Sequence, residues 1–168
     1  RTEAQKADIA KRLAALSEEA SDLRQLMEKV AKPRAQKAVR GGSMKLIWPV
    51  SGNMRKSFGD KDADGVRSEG LTLAAPSGAP VVAPYPGKVV FAGPFRGYGQ
   101  IMILQHDNGY YTFLSGFGRI DAEMAQDVDA GEPLGVLPVK EGAKPELYFE
   151  WRRGDKPANP LGGLQKRG

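Results

Sequence analysis

Short apolar runs alternate with turn signals from Lys45 to the end of this 168-residue chain. The segments between the runs contain Gly, Pro, Asn or Asp, the residue types that reverse the direction of a chain. Asn108-Gly109, between two of the runs, is the strongest hairpin signal. No window after residue 45 has the period of a helix, so the pattern predicts a mainly β sandwich or barrel. The predicted strands are residues 46–50, 71–74, 80–83, 88–92, 101–105, 110–114, 134–137 and 147–151.

The run at residues 146–152 has the clearest two-residue period. Side chains alternate between the two faces of a strand, so this run presents one apolar face and one polar face. The apolar face holds Leu147, Phe149 and Trp151, and the polar face holds Glu146, Tyr148, Glu150 and Arg152. The apolar face is predicted to lie in the core. The polar face carries acids, a phenol and a guanidinium, and its role is the functional question.

Residues 3–31 have the pattern of a helix that ends before Pro33. Apolar residues recur at alternating four- and three-residue steps, which is a heptad seam. The seam consists of Ile9, Leu13, Leu16, Ala20, Leu23, Met27 and Val30. Two interpretations stay open: the end of a coiled coil, or a movable arm that covers a site on the domain. We therefore predict a helix at 1–31, a basic linker at 32–44 and a β domain at 45–168.

The net charge of +5 comes mainly from the N-terminal segment. Residues 1–43 hold 10 Lys or Arg against 6 Asp or Glu, whereas residues 44–168 hold 15 against 14. This distribution favours a solvated connector and gives no support for nucleic-acid binding. The absence of Cys excludes disulfides and thiolate chemistry. No signal peptide is visible, and the chain begins inside a helical pattern, so we expect a fragment of a longer protein.

Three motifs suggest chemistry but do not complete it. Residues 60–65 (DKDADG) match the first half of a calcium loop, but position 12 would be Leu71 instead of Glu. His106 is the only histidine, and we expect it to cap or pack beside a turn. Residues 83–90 and 127–135 resemble the halves of biotinyl and lipoyl carrier domains, but no lysine lies at a hairpin tip between them. The two halves indicate a barrel-sandwich geometry, and a carrier role is not expected.

Residues 46–161 resemble the LytM (lysostaphin-type) zinc metallopeptidase domain, which cleaves peptidoglycan cross-links. The motifs that carry the resemblance are WPVSG at 48–52, SFG at 57–59, GLTLAAPSGAPV at 70–81, PGKVV at 86–90, GYG at 97–99, YTFLS at 111–115, VDAGE at 128–132, LYFE at 147–150 and NP at 159–160. The resemblance implies a LytM-type β-sandwich or barrel-sandwich hybrid, preceded here by an N-terminal α-helix.

The family's catalytic positions do not match. Active members take two zinc ligands from a His-x-x-x-Asp pair, and Ser68 and Thr72 occupy those positions. A catalytic histidine is replaced by Phe113. In the His-Leu-His motif, a second catalytic histidine and the third zinc ligand are replaced by Glu146 and Tyr148. Because hydroxyl and phenol groups do not replace imidazole and carboxylate at a catalytic zinc, we expect no metal, no cofactor and no peptidase activity.

Loss of the ligands with retention of the framework resembles the degenerate LytM domains of the EnvC-like murein hydrolase activators. That resemblance implies a periplasmic domain that activates a zinc-dependent N-acetylmuramoyl-L-alanine amidase during cell division, without catalysis of its own. A coiled coil precedes the domain in that group, and the resemblance implies that this coiled coil binds a recruiting complex at the division site. The partner would bind in the vacated groove, which we define as Glu69, Thr72, Tyr98, Phe113, Glu146, Tyr148 and Arg152.

A peptidoglycan-binding module without enzymatic activity is the alternative, because an aromatic groove with an arginine also suits peptide stems or glycan. The N-terminal helix favours a regulated partner site. A residual hydrolase would require bound zinc.

Overall fold

The computed structural model describes residues 25–26, 45–95, 97–154 and 156–164, without the side chain of residue 108. In these parts the chain forms eleven strands. They are β1 (Asn53–Lys56), β2 (Leu71–Ala74), β3 (Pro80–Val82), β4 (Gly87–Phe95), β5 (Gly99–Gln105), β6 (Tyr110–Ser115), β7 (Arg119–Ile120), β8 (Asp127–Val128), β9 (Pro133–Val136), β10 (Glu146–Arg153) and β11 (Lys156–Ala158). The predicted mainly β architecture is confirmed.

The strands form two antiparallel sheets. The larger sheet has the order β1-β2-β10-β6-β5-β4-β8, and β11 also pairs with β10. The smaller sheet has the order β3-β9-β7. The main core lies between the sheets, because its buried side chains come from both. It includes Leu73, Leu114 and Phe149 from the larger sheet and Val81 and Leu134 from the smaller.

Strand β10 is central to the larger sheet, and its side chains alternate as predicted. Leu147, Phe149 and Trp151 lie in the main core. Tyr148 packs on the opposite face, against a second group of buried residues. We call the face that carries Tyr148 the outer face. Two neighbours hold β10 along most of its length: β2 pairs with its first half and β6 with its second half and centre.

Two predictions near the start of the domain were wrong. Residues 46–50 do not form a strand; Leu46 makes an isolated bridge to Leu164. Pro49, which has no N–H to donate to a ladder, interrupts the run. Strand β1 was missed because all four of its residues are exposed, so its sequence carries no apolar alternation.

The hairpin predicted at Asn108-Gly109 joins β5 to β6, which are antiparallel. The connection is a 3-10 turn over Asp107–Gly109, closed by a hydrogen bond of 2.8 Å from the His106 N–H to the Tyr110 carbonyl. Gly109 has a φ of 76°, in the left-handed region that glycine reaches without strain.

The predicted helix at 3–31 and linker at 32–44 lie outside the described residues, except for Gln25 and Leu26, which are helical. The domain boundaries therefore stay predictions. Within the described parts of the chain, no helix has the length and hydropathy needed to cross a membrane.

Candidate functional site

The strand register places four of the five vacated positions on the outer face, namely Thr72, Phe113, Glu146 and Tyr148. Tyr148 of β10 lies directly opposite Thr72 of β2, and Glu150 lies opposite Phe113 of β6. The Phe113 and Tyr148 rings meet at 6.2 Å between centroids, in an edge-to-face arrangement. Ser68, in the loop before β2, donates its hydroxyl proton to the Gly70 carbonyl at 2.7 Å.

Aromatic side chains form the floor of this site. Phe113 is buried, together with Ile101, Ile103 and Tyr111, and we call these four residues the outer cluster. The Tyr98 ring lies edge-on to Phe113 at 5.3 Å. The turn that carries Tyr98 is anchored by the Ser115 hydroxyl, which donates to the Tyr98 carbonyl at 2.7 Å. The floor is therefore built by strand register and held by a short polar contact.

A polar chain runs along β10 beside the aromatic floor. The Tyr148 hydroxyl donates to Glu150 Oε1 at 2.5 Å, and Arg152 Nη1 donates to Glu150 Oε2 at 2.6 Å. The side chains of Arg152 and Glu150 are only 5% and 3% exposed. Opposite charges taken out of water need such close pairing to offset their lost hydration. Two strong bonds to charged groups hold the three side chains in one arrangement.

Burial affects the protonation of Tyr148 and Glu150, two of the three hydrogen-bonded side chains of β10. Burial is the main cause that raises the pKa of Glu150, while Arg152 and Tyr148 act in the opposite direction. Burial also raises the pKa of Tyr148 far above its usual value, and the Glu150 charge adds to this effect. The phenol consequently keeps its proton. Because a guanidinium does not lose its proton in a protein, the adjacent Arg152 favours the carboxylate form of Glu150.

The predicted groove residues divide by exposure. Glu69 and Glu146 are exposed, and Thr72, Tyr98 and Tyr148 are half-buried. Phe113 and Arg152 are buried, so in this structure they support the site from beneath. The groove predicted from the sequence omits Glu150, which connects Tyr148 to Arg152. The two-residue period places Glu150 on the same face as Tyr148, but that pattern does not show which side chains of a face are buried.

The donor groups at the vacated positions do not fit the zinc ion that the LytM resemblance implies. Tyr148 gives its proton to Glu150, Ser68 bonds to a carbonyl, Thr72 offers a neutral hydroxyl and Phe113 offers no donor atom. Among the residues that the structure describes, no three His, Cys, Asp or Glu side chains are grouped to hold a metal ion. A zinc site needs imidazole, thiolate or carboxylate ligands.

The loop that resembles half of a calcium site is organised by its own carboxylates. Asp62 Oδ1 accepts hydrogen bonds from the N–H groups of Asp64 and Val66, at 2.8 and 3.0 Å. Asp60 Oδ2 accepts from the Ser57 N–H at 2.8 Å. Position 12 of a calcium loop must be Glu, and the residue at that position here is Leu71, which is fully buried in β2. These carboxylates act as local turn acceptors.

His106 is part of the packing, as predicted. It is 2% exposed, with Nδ1 lying 2.8 Å from the Pro86 carbonyl and Nε2 lying 2.6 Å from the Thr112 hydroxyl. Its ring lies against Trp151 at 5.0 Å between centroids. Burial lowers the pKa of His106 to about 4. The neutral imidazole therefore contributes to the stability of the fold.

This burial predicts a loss of stability in acid. The unfolded chain takes up a proton near pH 6.5, but the folded His106 resists it down to about pH 4. The contribution is complete above pH 6.5 and decreases as the pH falls towards 4. When the pH is lowered from 7.5 to 4.5, the free energy of unfolding measured with urea should fall by about 2.5 kcal/mol because of His106. A His106→Gln variant should not show this part of the decrease. Equal pH dependence in both proteins would contradict this assignment.

Leu26, in the short helical segment described above, packs against the outer cluster. It is half-buried there. A residue that precedes the β domain in the sequence thus contacts the face that carries the site.

Comparison with known proteins places the domain in a family. Residues 66–160 match the model of Peptidase family M23. The cell division protein DipM of Caulobacter vibrioides is 32% identical over 131 residues, which cover 77% of this chain and 21% of that protein. The murein hydrolase activator NlpD of Salmonella typhimurium is 32% identical over 124 residues, covering 71% of this chain and 31% of NlpD.

The fold agrees with this match. The solution structure of lysostaphin superimposes with a TM-score of 0.62 at 20% identity, over 77% of this chain and 58% of lysostaphin. The LytM-type fold expected from the sequence is confirmed. The chain spans less than a third of the length of DipM and of NlpD. The chain belongs to Peptidase family M23.

Proposed function

We propose that this chain is a non-catalytic activator of a periplasmic N-acetylmuramoyl-L-alanine amidase in cell separation, and that it binds the amidase through the groove. The observation that carries the proposal is the site itself. At the vacated positions a buried phenylalanine and a hydrogen-bonded tyrosine occupy the face, with hydroxyl groups beside them. The relative NlpD, a murein hydrolase activator, supports the activator role.

The groove has the composition of a protein interface. Half-buried Tyr98 and Tyr148 offer apolar surface, and the exposed carboxylates of Glu69 and Glu146 lie towards its rim. Tyrosine is enriched at interface centres, where it buries a large area and satisfies a polar group. Phe113 and Arg152 contribute from below by fixing the position of Tyr148. An apolar helix face laid in the groove is the docking mode that we propose.

Activation follows if docking favours the open state of the amidase. An inhibitory segment that covers the amidase active site would be displaced when the groove binds the amidase more tightly in its open form. The gain in activity is then limited by the difference between the affinities for the two amidase states. This chain supplies only binding energy and needs no metal.

The N-terminal segment is proposed to restrain the groove. The contact of Leu26 with the outer cluster supports the arm interpretation. The rest of the segment is proposed to continue as a coiled coil towards a recruiting complex at the division site.

Removing residues 1–43 tests the arm. We expect residues 44–168 to stimulate a purified amidase at about tenfold lower concentration than residues 1–168, which corresponds to an arm seated on the groove in about nine molecules of ten. Release of dye-labelled peptidoglycan measures the activity, and thermal melting checks that the shorter chain is folded. Equal stimulation by both chains would eliminate the arm, and no stimulation by either would eliminate the activator function. Sedimentation with peptidoglycan alone would favour the cell-wall-binding alternative.

A further inference from the structure

The hydroxyl of Tyr148 has one proton, and the structure shows where that proton goes. The oxygen lies 2.5 Å from Glu150 Oε1, and Glu150 Oε2 accepts from Arg152. A phenol has one donor and can also accept through its oxygen lone pairs. With the donor committed to Glu150, the oxygen can interact with an approaching partner only as an acceptor.

The direction of this hydrogen bond is fixed by the buried pair. An ionised carboxylate can only accept, and the Arg152 guanidinium holds Glu150 in that form from its other oxygen. Packing of the Tyr148 ring edge-to-face on Phe113 restricts its rotation. Glu150 and Arg152 are thus positioning residues, and they act through Tyr148.

The charge around Tyr148 favours a cation. Glu146 is two residues away on the same face of β10, about 7 Å along the strand, and it is exposed. Glu69 is also exposed. Its neighbour Gly70 packs so closely on β10 that an added Cβ would lie 2.9 Å from Glu150 Cγ, which places Glu69 next to the residue that binds Tyr148. Burial and Glu150 raise the pKa of Tyr148, and the Glu69 charge adds to this effect. Lys56 lies opposite Thr72 on the next strand and is exposed, about 10 Å from β10, which is farther from Tyr148 than Glu146 is.

We infer that Tyr148 is a preset hydrogen-bond acceptor for a cationic side chain, Arg or Lys, that the docking segment of the amidase places between Tyr148 and Glu69. This inference rests on the proposed docking function and specifies its chemistry. The aromatic floor supplies apolar contact, and the oriented oxygen and the carboxylate select the charged group. A docking segment with an acid at this position would be rejected by Glu69 and Glu146.

Binding of the full chain, residues 1–168, to a purified zinc-dependent amidase tests the inference by biolayer interferometry. Tyr148→Phe keeps the ring and removes the acceptor, and we expect the affinity to fall about tenfold. Glu69→Gln should lower it about threefold at low salt and have little effect at 0.5 M salt, where exposed charges are screened. Glu123→Gln, in the segment before β8 and four strands from β10, is the matched control and should leave binding unchanged.

The double variant separates positioning from folding. Glu150→Gln should weaken binding in the wild-type background and have no further effect in the Tyr148→Phe background, because it acts through the hydroxyl. Thermal melting confirms that each protein is folded. Unchanged affinity of a folded Tyr148→Phe chain would overturn the inference, as would a salt-independent loss with no effect of Glu69→Gln. Failure of the wild-type chain to bind any amidase would instead reject the proposed function.

Discussion

Glu150→Ala is expected to lower the free energy of unfolding by about 3–5 kcal/mol, as does removal of one partner from other buried ion pairs. The carboxylate is 3% exposed and lies 2.6 Å from Arg152. Without it, the buried guanidinium loses its counter-ion and cannot become neutral by releasing a proton. Urea unfolding at pH 7.5, followed by tryptophan fluorescence, measures the change. The hydroxyl of Tyr148 loses its acceptor in the same variant.

Arg152→Ala should cost less, and its cost should depend on pH. The remaining carboxyl can take up a proton, because burial already raises the pKa of Glu150. The stability gap between wild type and Arg152→Ala should therefore narrow as the pH is lowered. The exposed pair of Arg119 and Asp121, at 2.7 Å, is the control. Arg119→Ala should leave the urea midpoint unchanged, since exposed ion pairs contribute little. A Glu150→Ala protein as stable as Arg119→Ala would show that the buried pair does not support the fold.

Because Glu150 and Arg152 both support the fold, not every substitution in the groove reports on docking. Arg152 is one of the groove residues predicted from the sequence, so Arg152→Ala is an evident test of a direct contact with the amidase. Because Arg152 is 4% exposed, a loss of amidase stimulation in that variant would reflect disorder of β10 as much as loss of contact. Tyr148→Phe, which keeps the packed ring, is the informative substitution.

The sequence predicted the strands that have one buried face. In β10 the alternation of Leu147 and Phe149 with Tyr148 and Glu150 follows from the geometry of a strand, and the structure confirms it. The same reasoning missed β1, whose four residues are all exposed. It also placed a strand at 46–50, where Pro49 cannot take part in a ladder. Periodicity detects burial on one side, and it fails where neither face is buried.

The candidate site was predicted by a different route. The contact between Phe113 and Tyr148 joins positions 35 residues apart in the sequence, and only the family resemblance pointed to it before the register placed the strands side by side. The buried Glu150–Arg152 pair was not predicted. The two-residue period showed that both side chains share a face with Tyr148, but a polar face is assumed to be exposed unless tertiary packing is known.

Restoring the zinc ligands at the vacated positions is expected to create a site that binds zinc, and this is the largest change in binding that we predict. In the variant Ser68→His, Thr72→Asp and Tyr148→His, two of the ligands occupy directly opposed positions of β2 and β10, and the third lies in the loop before β2. Two imidazoles and a carboxylate with an open fourth position form a common type of catalytic zinc site. Binding of about 8 kcal/mol or more, or a dissociation constant of about 1 µM or below, is expected. Metal analysis after dialysis should find one zinc per variant chain and none in the wild type.

The buried pair helps the restored site. In the wild-type chain Glu150 accepts a hydrogen bond from Tyr148. In the variant Glu150 becomes available to accept the N–H of an introduced imidazole, the contact that orients most zinc-bound histidines. Because Arg152 neutralises Glu150, the pair adds no net charge beneath the metal. A matched variant with Ser68→Ala, Thr72→Asn and Tyr148→Phe alters the same positions without supplying ligands and should bind no zinc. Stoichiometric zinc in the wild-type chain would contradict the non-catalytic assignment. Absence of zinc from a folded ligand variant would show that the vacated positions no longer converge on one point.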